Sequence, residues 1–246
     1  MKQLTNKVAL ITGGSRGIGA AIAERLAAEG ARVAFTYVQS AEKAEELAKK
    51  IKASGGEAVA IAADSADPQA MTQAVNKTID TFGRIDILVS NAGIYIGKPF
   101  TEHTIEDYER IMAINVRAVY AAALEASKHM QAGSRIITIG SNMADNAISP
   151  HTTLYTMSKS ALQGFTRGLA RDLGPEHITV NLVQPGPVDT DMNPANTEFA
   201  NTLRSRMAIA QYGKASDIAS LVAYLAGDEA RYITGSVLTI DGGFNA

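Results

Sequence analysis

Short apolar runs alternate along the chain with longer segments in which apolar residues recur every three or four positions. The short runs predict buried strands, and the longer segments predict helices that pack one face against a sheet. Strands are predicted at residues 8–12, 32–37, 57–62, 85–90, 135–140, 179–184 and 237–240, and helices at residues 20–29, 41–54, 68–82, 105–130, 154–173 and 216–226. This alternation favours an α/β fold, a doubly wound parallel sheet of about seven strands with helices on both faces.

The alternating pattern continues through all 246 residues without a repeat or a low-complexity linker. A chain of this length can bury one large hydrophobic core. We therefore expect a single domain that spans residues 1–246.

Glycines cluster where the first predicted strand meets the first predicted helix. Gly13, Gly17 and Gly19 follow the apolar run in the spacing T-G-x-x-x-G-x-G, rather than the G-x-G-x-x-G of many dinucleotide sites. Glycine permits a sharp turn and lets the backbone approach a pyrophosphate, and the N–H groups and dipole of the helix favour its negative charge. A glycine-rich loop between a strand and a helix therefore predicts a phosphate-binding site.

Tyr155 and Lys159 lie four residues apart in a predicted helix, and therefore on one helix face. A phenol has a pKa of about 10 and exchanges its proton poorly at neutral pH. An ammonium about 4 Å away would lower the pKa of the phenol by favouring the phenolate. Most such pairs are simply solvated, so the interpretation as a proton-transfer pair depends on the motifs around it.

The motifs together resemble those of the short-chain dehydrogenase/reductase family, from about residue 6 to the C-terminus. Residues 12–19 match its cofactor loop, residues 91–93 match its N-A-G motif, and residues 185–190 match its P-G-x-x-x-T motif. The residues that match its catalytic tetrad are Asn115, Ser141, Tyr155 and Lys159. The resemblance implies a Rossmann fold that binds NAD(P) and an oxidoreductase activity.

The resemblance also implies a role for each tetrad member in hydride transfer between a nicotinamide and a carbonyl or alcohol. Tyr155 would exchange a proton with the substrate oxygen, while Lys159 would stabilise the phenolate and hold the nicotinamide ribose. Ser141 would hydrogen-bond the substrate oxygen. Asn115, a poor helix former within a long predicted helix, would bind a water that links Lys159 to solvent.

The end of the second predicted strand bears on the choice between NAD and NADP. Enzymes selective for NAD generally place a carboxylate there, which would repel the 2′-phosphate of NADP. Here residues 35–40 contain no acid, and Arg16 adds a cation whose planar donor fork suits phosphate. We predict NADP(H) as the cofactor, with Arg16, Gln39 and Ser40 around the 2′-phosphate. The predicted cofactor-binding residues are Gly13, Ser15, Arg16, Gly17, Ile18, Gly19, Tyr37, Gln39, Ser40, Asp64, Ser65, Asn91, Ala92, Gly93, Tyr155, Lys159, Pro185, Gly186, Val188 and Thr190.

The segment 188–212, rich in Asn, Pro, Thr and Met, follows the sixth predicted strand. Its composition is equally typical of an ordinary surface excursion, but its place beside the motifs favours the substrate lid that the resemblance implies. Candidate residues for a mainly apolar substrate pocket are Ile94, Tyr95, Met143, Ile148, Met192 and Met207.

Three functions remain open. The leading hypothesis is an NADPH-dependent carbonyl reductase that converts a ketone or aldehyde to an alcohol. The second is a 3-oxoacyl-[acyl-carrier-protein] reductase, although Ala132 and Glu176 stand where that subgroup carries basic residues for an acidic carrier protein. The third is a nucleotide-binding regulatory protein, because residues 184–187 and 193–196 resemble members linked to biofilm dispersal and cyclic-dinucleotide binding. The complete tetrad favours catalysis.

Composition limits the classes of partner and the cellular compartment that we expect. A net charge of −2 gives no indication of a nucleic-acid or anionic-membrane partner. The absence of cysteine excludes disulfides and thiolate metal ligands, and makes a reducing compartment the default. Since no apolar run is long enough to span a bilayer, we expect a cytoplasmic protein. No metal site is predicted among the four isolated histidines, which we expect at the surface. By resemblance we expect a homotetramer.

Overall fold

The computed structural model describes residues 3–246, whose strands form one seven-stranded sheet. The strands are β1 Val8–Ile11, β2 Arg32–Tyr37, β3 Glu57–Ala62, β4 Ile87–Ser90, β5 Arg135–Ile139, β6 Thr179–Pro185 and β7 Val237–Ile240. They are ordered β3-β2-β1-β4-β5-β6-β7, and every neighbouring pair is parallel. This order is that of a doubly wound Rossmann fold, so the predicted fold class is confirmed.

Helices connect the strands across both faces of the sheet. They are α1 Gly17–Ala28, α2 Ala41–Ala53, α3 Pro68–Phe82, α4 Ile105–Met112, α5 Ala118–Ser127, α6 Thr153–Leu173, α7 Glu198–Arg204 and α8 Ala215–Ala226. Short 3₁₀ turns span Phe100–Glu102, Asn142–Ala144, Gly174–Glu176 and Asp228–Ala230.

The core lies in two layers, one on each face of the sheet. On one face, Ile22 of α1 and Val222 of α8 pack in the same cluster as Ile11 of β1. On the other, Met71 of α3 packs in a cluster with Leu10 of β1. Successive strand residues point to opposite faces, so a strand covered on both sides must be apolar throughout. That is the physical reason for the short continuous apolar runs in the sequence.

The single helix predicted over residues 105–130 is wrong at its centre. It is interrupted by a π-helical turn, Ala113–Arg117, between α4 and α5, and α5 ends at Ser127. A π turn inserts one residue into the helical register and is frequent at functional sites. Smaller differences affect other ends: α1 begins at Gly17, three residues before its predicted start, and β4 begins at Ile87.

The segment proposed as a lid, residues 188–212, leaves the sheet after β6, and its two ends lie side by side. Val188 and Gly213 form an isolated parallel bridge that closes its base. Within it, α7 packs Ala200 and Leu203 against Phe244 near the C-terminus. The excursion therefore has a small hydrophobic core of its own beside the carboxyl ends of the strands.

No helix in residues 3–246 is long and apolar enough to cross a membrane. In the same part of the chain, no three His, Cys, Asp or Glu side chains lie together as a potential metal site. The expected surface position of the histidines is wrong for His103, whose side chain is only 6% exposed. This residue packs beside the first turn of α4, where its Nδ1 lies 3.7 Å from the Asp107 carboxylate.

Candidate active site

A cleft of about 560 Å³ lies at the carboxyl ends of the strands. Four loops meet there: the glycine loop after β1, residues 91–93 after β4, Ser141 after β5 and residues 186–188 after β6. Every residue predicted to contact a cofactor lines this cleft. The convergence follows from the parallel sheet, because the ends of all its strands point to one edge.

The glycine loop contains two positions where only glycine fits. Gly13 adopts a positive φ of 64°, and a Cβ atom there would lie 2.9 Å from the Ala92 Cα. A Cβ atom on Gly19 would lie 2.3 Å from the Gly13 carbonyl oxygen and 2.5 Å from the Asn91 amide nitrogen. The loop and the start of α1 are therefore packed backbone to backbone, so the backbone of the loop and the N-terminus of the helix can approach a phosphate closely.

Hydrogen bonds tie the glycine loop to the neighbouring strands. The Thr12 hydroxyl accepts from the backbone N–H groups of Asn91 and Ala92, at 3.0 and 3.1 Å. In return, the Asn91 side-chain amide donates to the carbonyl oxygens of Thr12 and Gly13, at 3.0 and 2.9 Å. The Gly13 N–H donates to the Thr36 hydroxyl at 2.9 Å. These bonds fix the loop, and they give Asn91 a structural role in addition to its place in the cleft.

Tyr155 and Ser141 meet across the cleft wall. Tyr155 lies in the first turn of α6, where its phenol is close enough to the Ser141 hydroxyl for that hydroxyl to lower the phenol pKa. The Ser141 oxygen also accepts from the backbone N–H of Met143 at 3.2 Å, and this bond fixes the position of the hydroxyl. The Tyr95 ring stands edge-on to the Tyr155 ring, with centroids 5.2 Å apart. One phenol and one hydroxyl are thus presented side by side to the space in the cleft.

Lys159 lies one turn further along α6 and is 4% exposed. Its Nζ donates to the Ile139 carbonyl oxygen at 3.0 Å and lies 5.7 Å from the centre of the Tyr155 ring. A Cβ atom on Gly93 would lie 3.4 Å from this Nζ, so the glycine leaves room for the ammonium. The predicted pair is therefore present on one helix face.

Burial controls the protonation of both groups. It lowers the pKa of Lys159 from 10.5 to about 8, because the ammonium has lost most of its solvent. Burial also raises the pKa of Tyr155, an effect that the Ser141 hydrogen bond opposes only in part. The expectation that the ammonium would lower the phenol pKa is wrong for the free protein. Desolvation of the phenolate is the larger effect.

Asn115 lies in the π-helical turn, 1% exposed and behind the cleft wall. Its side-chain oxygen accepts from the Ile94 N–H at 2.9 Å, and its amide donates to the Ile94 carbonyl at 3.0 Å. The amide also donates to the Ser158 hydroxyl at 3.0 Å. The side chain thus clamps the backbone beside Gly93 and joins it to α6, between Tyr155 and Lys159.

The far end of the cleft carries polar groups. Tyr37, Gln39 and Ser40 line it after β2, and Asp64 and Ser65 line it after β3. The Arg16 guanidinium, 61% exposed, lies 3.8 Å from the carboxylate of Asp191 in the segment 188–212. The Lys43 ammonium lies 3.8 Å from the same carboxylate. The sequence predicts Arg16 but neither Lys43 nor Asp191, because their closeness depends on how the segment 188–212 folds back.

Five of the six candidate substrate-pocket residues line the cleft: Ile94, Tyr95, Met143, Ile148 and Met192. The assignment of Met207 is wrong. Its side chain is buried with Leu203 and Phe244 in the small core of the segment 188–212, because that segment needs apolar residues for its own packing. Phe199 of α7 was missed; it is 55% exposed and lines the cleft.

The chain is similar over its whole length to known proteins. Residues 13–245 match a family profile described as enoyl-(acyl carrier protein) reductase. The chain is 47% identical to the cyclic-di-GMP-binding biofilm dispersal mediator protein of Escherichia coli K12, with 100% of both chains covered. A short chain dehydrogenase from Burkholderia cenocepacia, solved in complex with NADP, is 54% identical with a TM-score of 0.98, covering 99% of this chain and 100% of that one. A blue fluorescent protein from a metagenomic library, solved in complex with NADPH, is 53% identical with a TM-score of 0.98 and the same coverage. The chain belongs to the short-chain dehydrogenase/reductase family.

Proposed function

We propose that this oxidoreductase reduces a ketone or aldehyde to an alcohol with NADPH, with Tyr155 as the proton donor. The observation that carries the proposal is that Tyr155 and Ser141 line the same cleft, one helical turn from the buried Lys159. A protein that only bound a nucleotide would not require a phenol, a hydroxyl and a buried ammonium together at the cleft wall.

The cleft fits a dinucleotide with a 2′-phosphate. The backbone around Gly13 and Gly19 leaves no room for side chains, as a pyrophosphate site requires. Residues 35–40 carry no carboxylate to repel a 2′-phosphate, and Arg16 faces the same end of the cleft. The similar structures that contain NADP and NADPH support the same choice. When bound, the nicotinamide supplies the hydride.

The protein groups handle the proton and orient the substrate. The raised pKa of Tyr155 keeps the phenol protonated at neutral pH, as a proton donor must be. Ser141 accepts from Met143, so its own hydrogen is available to the substrate carbonyl oxygen. Lys159, with a pKa of about 8, is mostly protonated at pH 7 and offsets the negative charge that develops on Tyr155. Asn115 holds the backbone wall beside them.

The walls around Tyr155 favour a carbonyl compound with apolar substituents. Tyr95, Ile148 and Phe199 present aromatic and aliphatic surface to the cleft. Burial of apolar substituents against such a surface stabilises the complex by roughly 25 cal/mol per Å². We propose a ketone or aldehyde of this kind as the substrate class, taken up under the lid formed by residues 188–212.

Substitution of Tyr155 by Phe tests the proposal, because it removes one oxygen and leaves the ring. We expect turnover in an NADPH-oxidation assay against ketones, aldehydes and 3-oxoacyl thioesters to fall by about 10²- to 10⁴-fold. The affinity for NADPH should stay within about twofold, because the phenol contributes one of many contacts to the dinucleotide. Tyr232→Phe, at a fully exposed tyrosine, is the matched control. Retained turnover in Tyr155→Phe would contradict the assignment.

The same panel of substrates distinguishes a carbonyl reductase from a 3-oxoacyl-[acyl-carrier-protein] reductase. Comparable or faster turnover of a carrier-protein thioester than of a simple ketone would favour it. Ala132 and Glu176 are both exposed, and neither side chain offers a cation to an acidic carrier protein. We expect the simple ketone to be preferred, since the Glu176 carboxylate repels an acidic partner.

A second candidate function is nucleotide-dependent regulation. The observation that favours it is the 47% identity to a protein described as cyclic-di-GMP-binding. Titration with cyclic di-GMP, in wild-type protein and in Tyr155→Phe, tests it directly. Binding of cyclic di-GMP in both proteins, without turnover on any carbonyl compound, would favour regulation over catalysis.

We also propose that the protein assembles as a homotetramer. An apolar groove of about 350 Å³ runs between α4, α5 and α6, lined by Met112, Val116, Tyr120, Leu162 and Phe165. Tyr120 and Leu124 of α5 are about half exposed beside it. A second copy related by a twofold axis would cover both faces at once. Sedimentation as a monomer at micromolar concentration would contradict this assembly.

A further inference from the structure

We propose that Lys43 and Asp191 complete the 2′-phosphate site, Lys43 as a second cation and Asp191 as a carboxylate that the phosphate displaces. The inference rests on the proposed NADP(H) cofactor and deepens it. It assigns cofactor selectivity to two residues outside the glycine loop and the tetrad, and it links the lid segment to the chemical identity of the cofactor.

Two cations converge on one oxygen atom. Arg16 Nη1 and Lys43 Nζ each lie 3.8 Å from Oδ2 of Asp191. The three side chains come from three separate elements: the turn before α1, the first turn of α2 and the lid segment. One carboxylate facing two cations leaves a net positive charge. A phosphate monoester, which carries a charge of −1.5 to −2 at pH 7, matches that pair of cations better than a carboxylate does.

The cluster lies where a 2′-phosphate belongs in this fold. Arg16 and Asp191 line the cleft beside Gln39 and Ser40, immediately after β2. In a Rossmann fold the end of this strand faces the ribose hydroxyls of the adenosine half. Lys43 follows Ser40 by three residues, on the first turn of α2. A phosphate ester on the ribose would therefore enter the space between the three charged groups.

The backbone holds Asp191 in this place. It lies at the tip of a tight turn closed by two hydrogen bonds between Thr190 and Asn193, at 3.0 and 3.4 Å. The turn rests on the glycine loop, because a Cβ atom on Gly17 would lie 3.5 Å from the Thr190 methyl group. The carboxylate thus occupies the anion position next to Arg16 and Lys43 while the lid turn lies against the loop.

The Asp191 pairs are weak enough to exchange. All three side chains are at least 60% exposed, and ion pairs of that kind contribute little net free energy. A phosphate and a carboxylate cannot share the two cations without repelling each other. A ligand with a 2′-phosphate therefore takes Arg16 and Lys43 away from Asp191. A ligand without that phosphate leaves the lid turn paired.

Binding of adenosine 2′,5′-bisphosphate and of 5′-AMP, measured by calorimetry, tests the inference without any turnover. Lys43→Gln should weaken binding of the bisphosphate by about 3- to 10-fold and leave 5′-AMP unchanged. Lys49→Gln, at an exposed lysine further along α2, is the matched control and should change neither ligand. Asp191→Asn should strengthen bisphosphate binding by about 2- to 5-fold, since it removes the competing charge.

The combination Lys43→Gln with Asp191→Asn tests whether the two act on one site. The gain from Asp191→Asn should shrink when Lys43 is absent, because one of the two shared cations has gone. Equal behaviour of Lys43→Gln and Lys49→Gln, or weaker bisphosphate binding in Asp191→Asn, would overturn the inference. Wild-type protein separates this outcome from failure of the NADP(H) assignment. If wild type binds the bisphosphate no more tightly than 5′-AMP, the NADP(H) assignment itself is at fault.

Discussion

The two ends of the cleft are built in opposite ways. At the proposed catalytic end, Asn115 and Lys159 are at most 4% exposed, and hydrogen bonds to the backbone hold their polar atoms. At the proposed phosphate end, Arg16, Lys43 and Asp191 are at least 60% exposed, and ion pairs at 3.8 Å are the contacts among them. If the proposed roles hold, one fold separates the chemical step from the choice of cofactor.

Burial has different uses at the two ends. Proton transfer requires groups held in position and pKa values moved from their ordinary range, and both effects come from removal of solvent. Discrimination of a 2′-phosphate requires only that charge of the right sign faces it, and exposed side chains can supply this. We therefore expect substitutions at the catalytic end to have large effects that are insensitive to salt. Substitutions at the phosphate end should have modest effects that salt reduces.

The largest expected effect follows from filling the backbone contact at Gly19. In Gly19→Ala the new methyl group would lie 2.3 Å from the Gly13 carbonyl oxygen, so the glycine loop or α1 must move. We expect the free energy of unfolding to fall by about 3 kcal/mol, near the upper end of overpacking effects. NADPH binding should be lost with it. Gly227→Ala is the control, because its φ of −81° suits any residue and its nearest neighbours are 3.4 Å away.

Chemical denaturation of both variants, with and without NADPH, measures these effects. A Gly19→Ala protein with wild-type stability and wild-type NADPH affinity would show that the glycine loop can move to accommodate the methyl group. The catalytic end would then be no more rigid than the phosphate end, and the comparison between them would fail.

Lys159→Met gives the next largest effect, and one that depends on pH. The folded protein holds the Lys159 proton less tightly than the unfolded chain, with a pKa of about 8 instead of 10.5. Below pH 8 this proton therefore lowers the free energy of unfolding by its full amount. The loss becomes smaller as the pH rises from 8 to 10.5, where the unfolded chain also releases the proton. Relative to the methionine variant, wild type should gain about 3 kcal/mol of unfolding free energy between pH 7 and pH 10.5. Urea denaturation across that range measures it.

Lys49→Met is the matched control for the lysine experiment. Lys49 is exposed on α2, so its substitution should change stability by the same small amount at every pH. A difference between wild type and Lys159→Met that does not change with pH would mean that Lys159 keeps its ordinary pKa. The catalytic end would then not depend on desolvation.

Local sequence patterns were enough to predict the seven strands, the sheet class and the glycine loop, because each depends on neighbouring residues. The convergence of Ser141, Tyr155 and Lys159 followed once the strands were taken as parallel. What sequence could not provide depends on contacts between distant segments. Asn115 in the π turn is paired with Ile94, Met207 lies in the small core of the segment 188–212, and Lys43 is paired with Asp191 of that segment. The raised pKa of Tyr155 depends on desolvation of the phenol by the folded chain, which no spacing reveals.

Arg16→Ala should have the smallest effect and the strongest dependence on salt. Removal of one exposed cation from the phosphate end should raise the KM for NADPH by about 10-fold at low ionic strength, with little change for NADH. The ratio should shrink as salt is added, because screening weakens an exposed contact far more than a buried one. Arg231→Ala, at an exposed arginine between α8 and β7, is the control. Equal changes for NADPH and NADH would remove Arg16 from the phosphate site. An NADPH effect unaffected by salt would show that the two ends of the cleft do not differ as their exposure indicates.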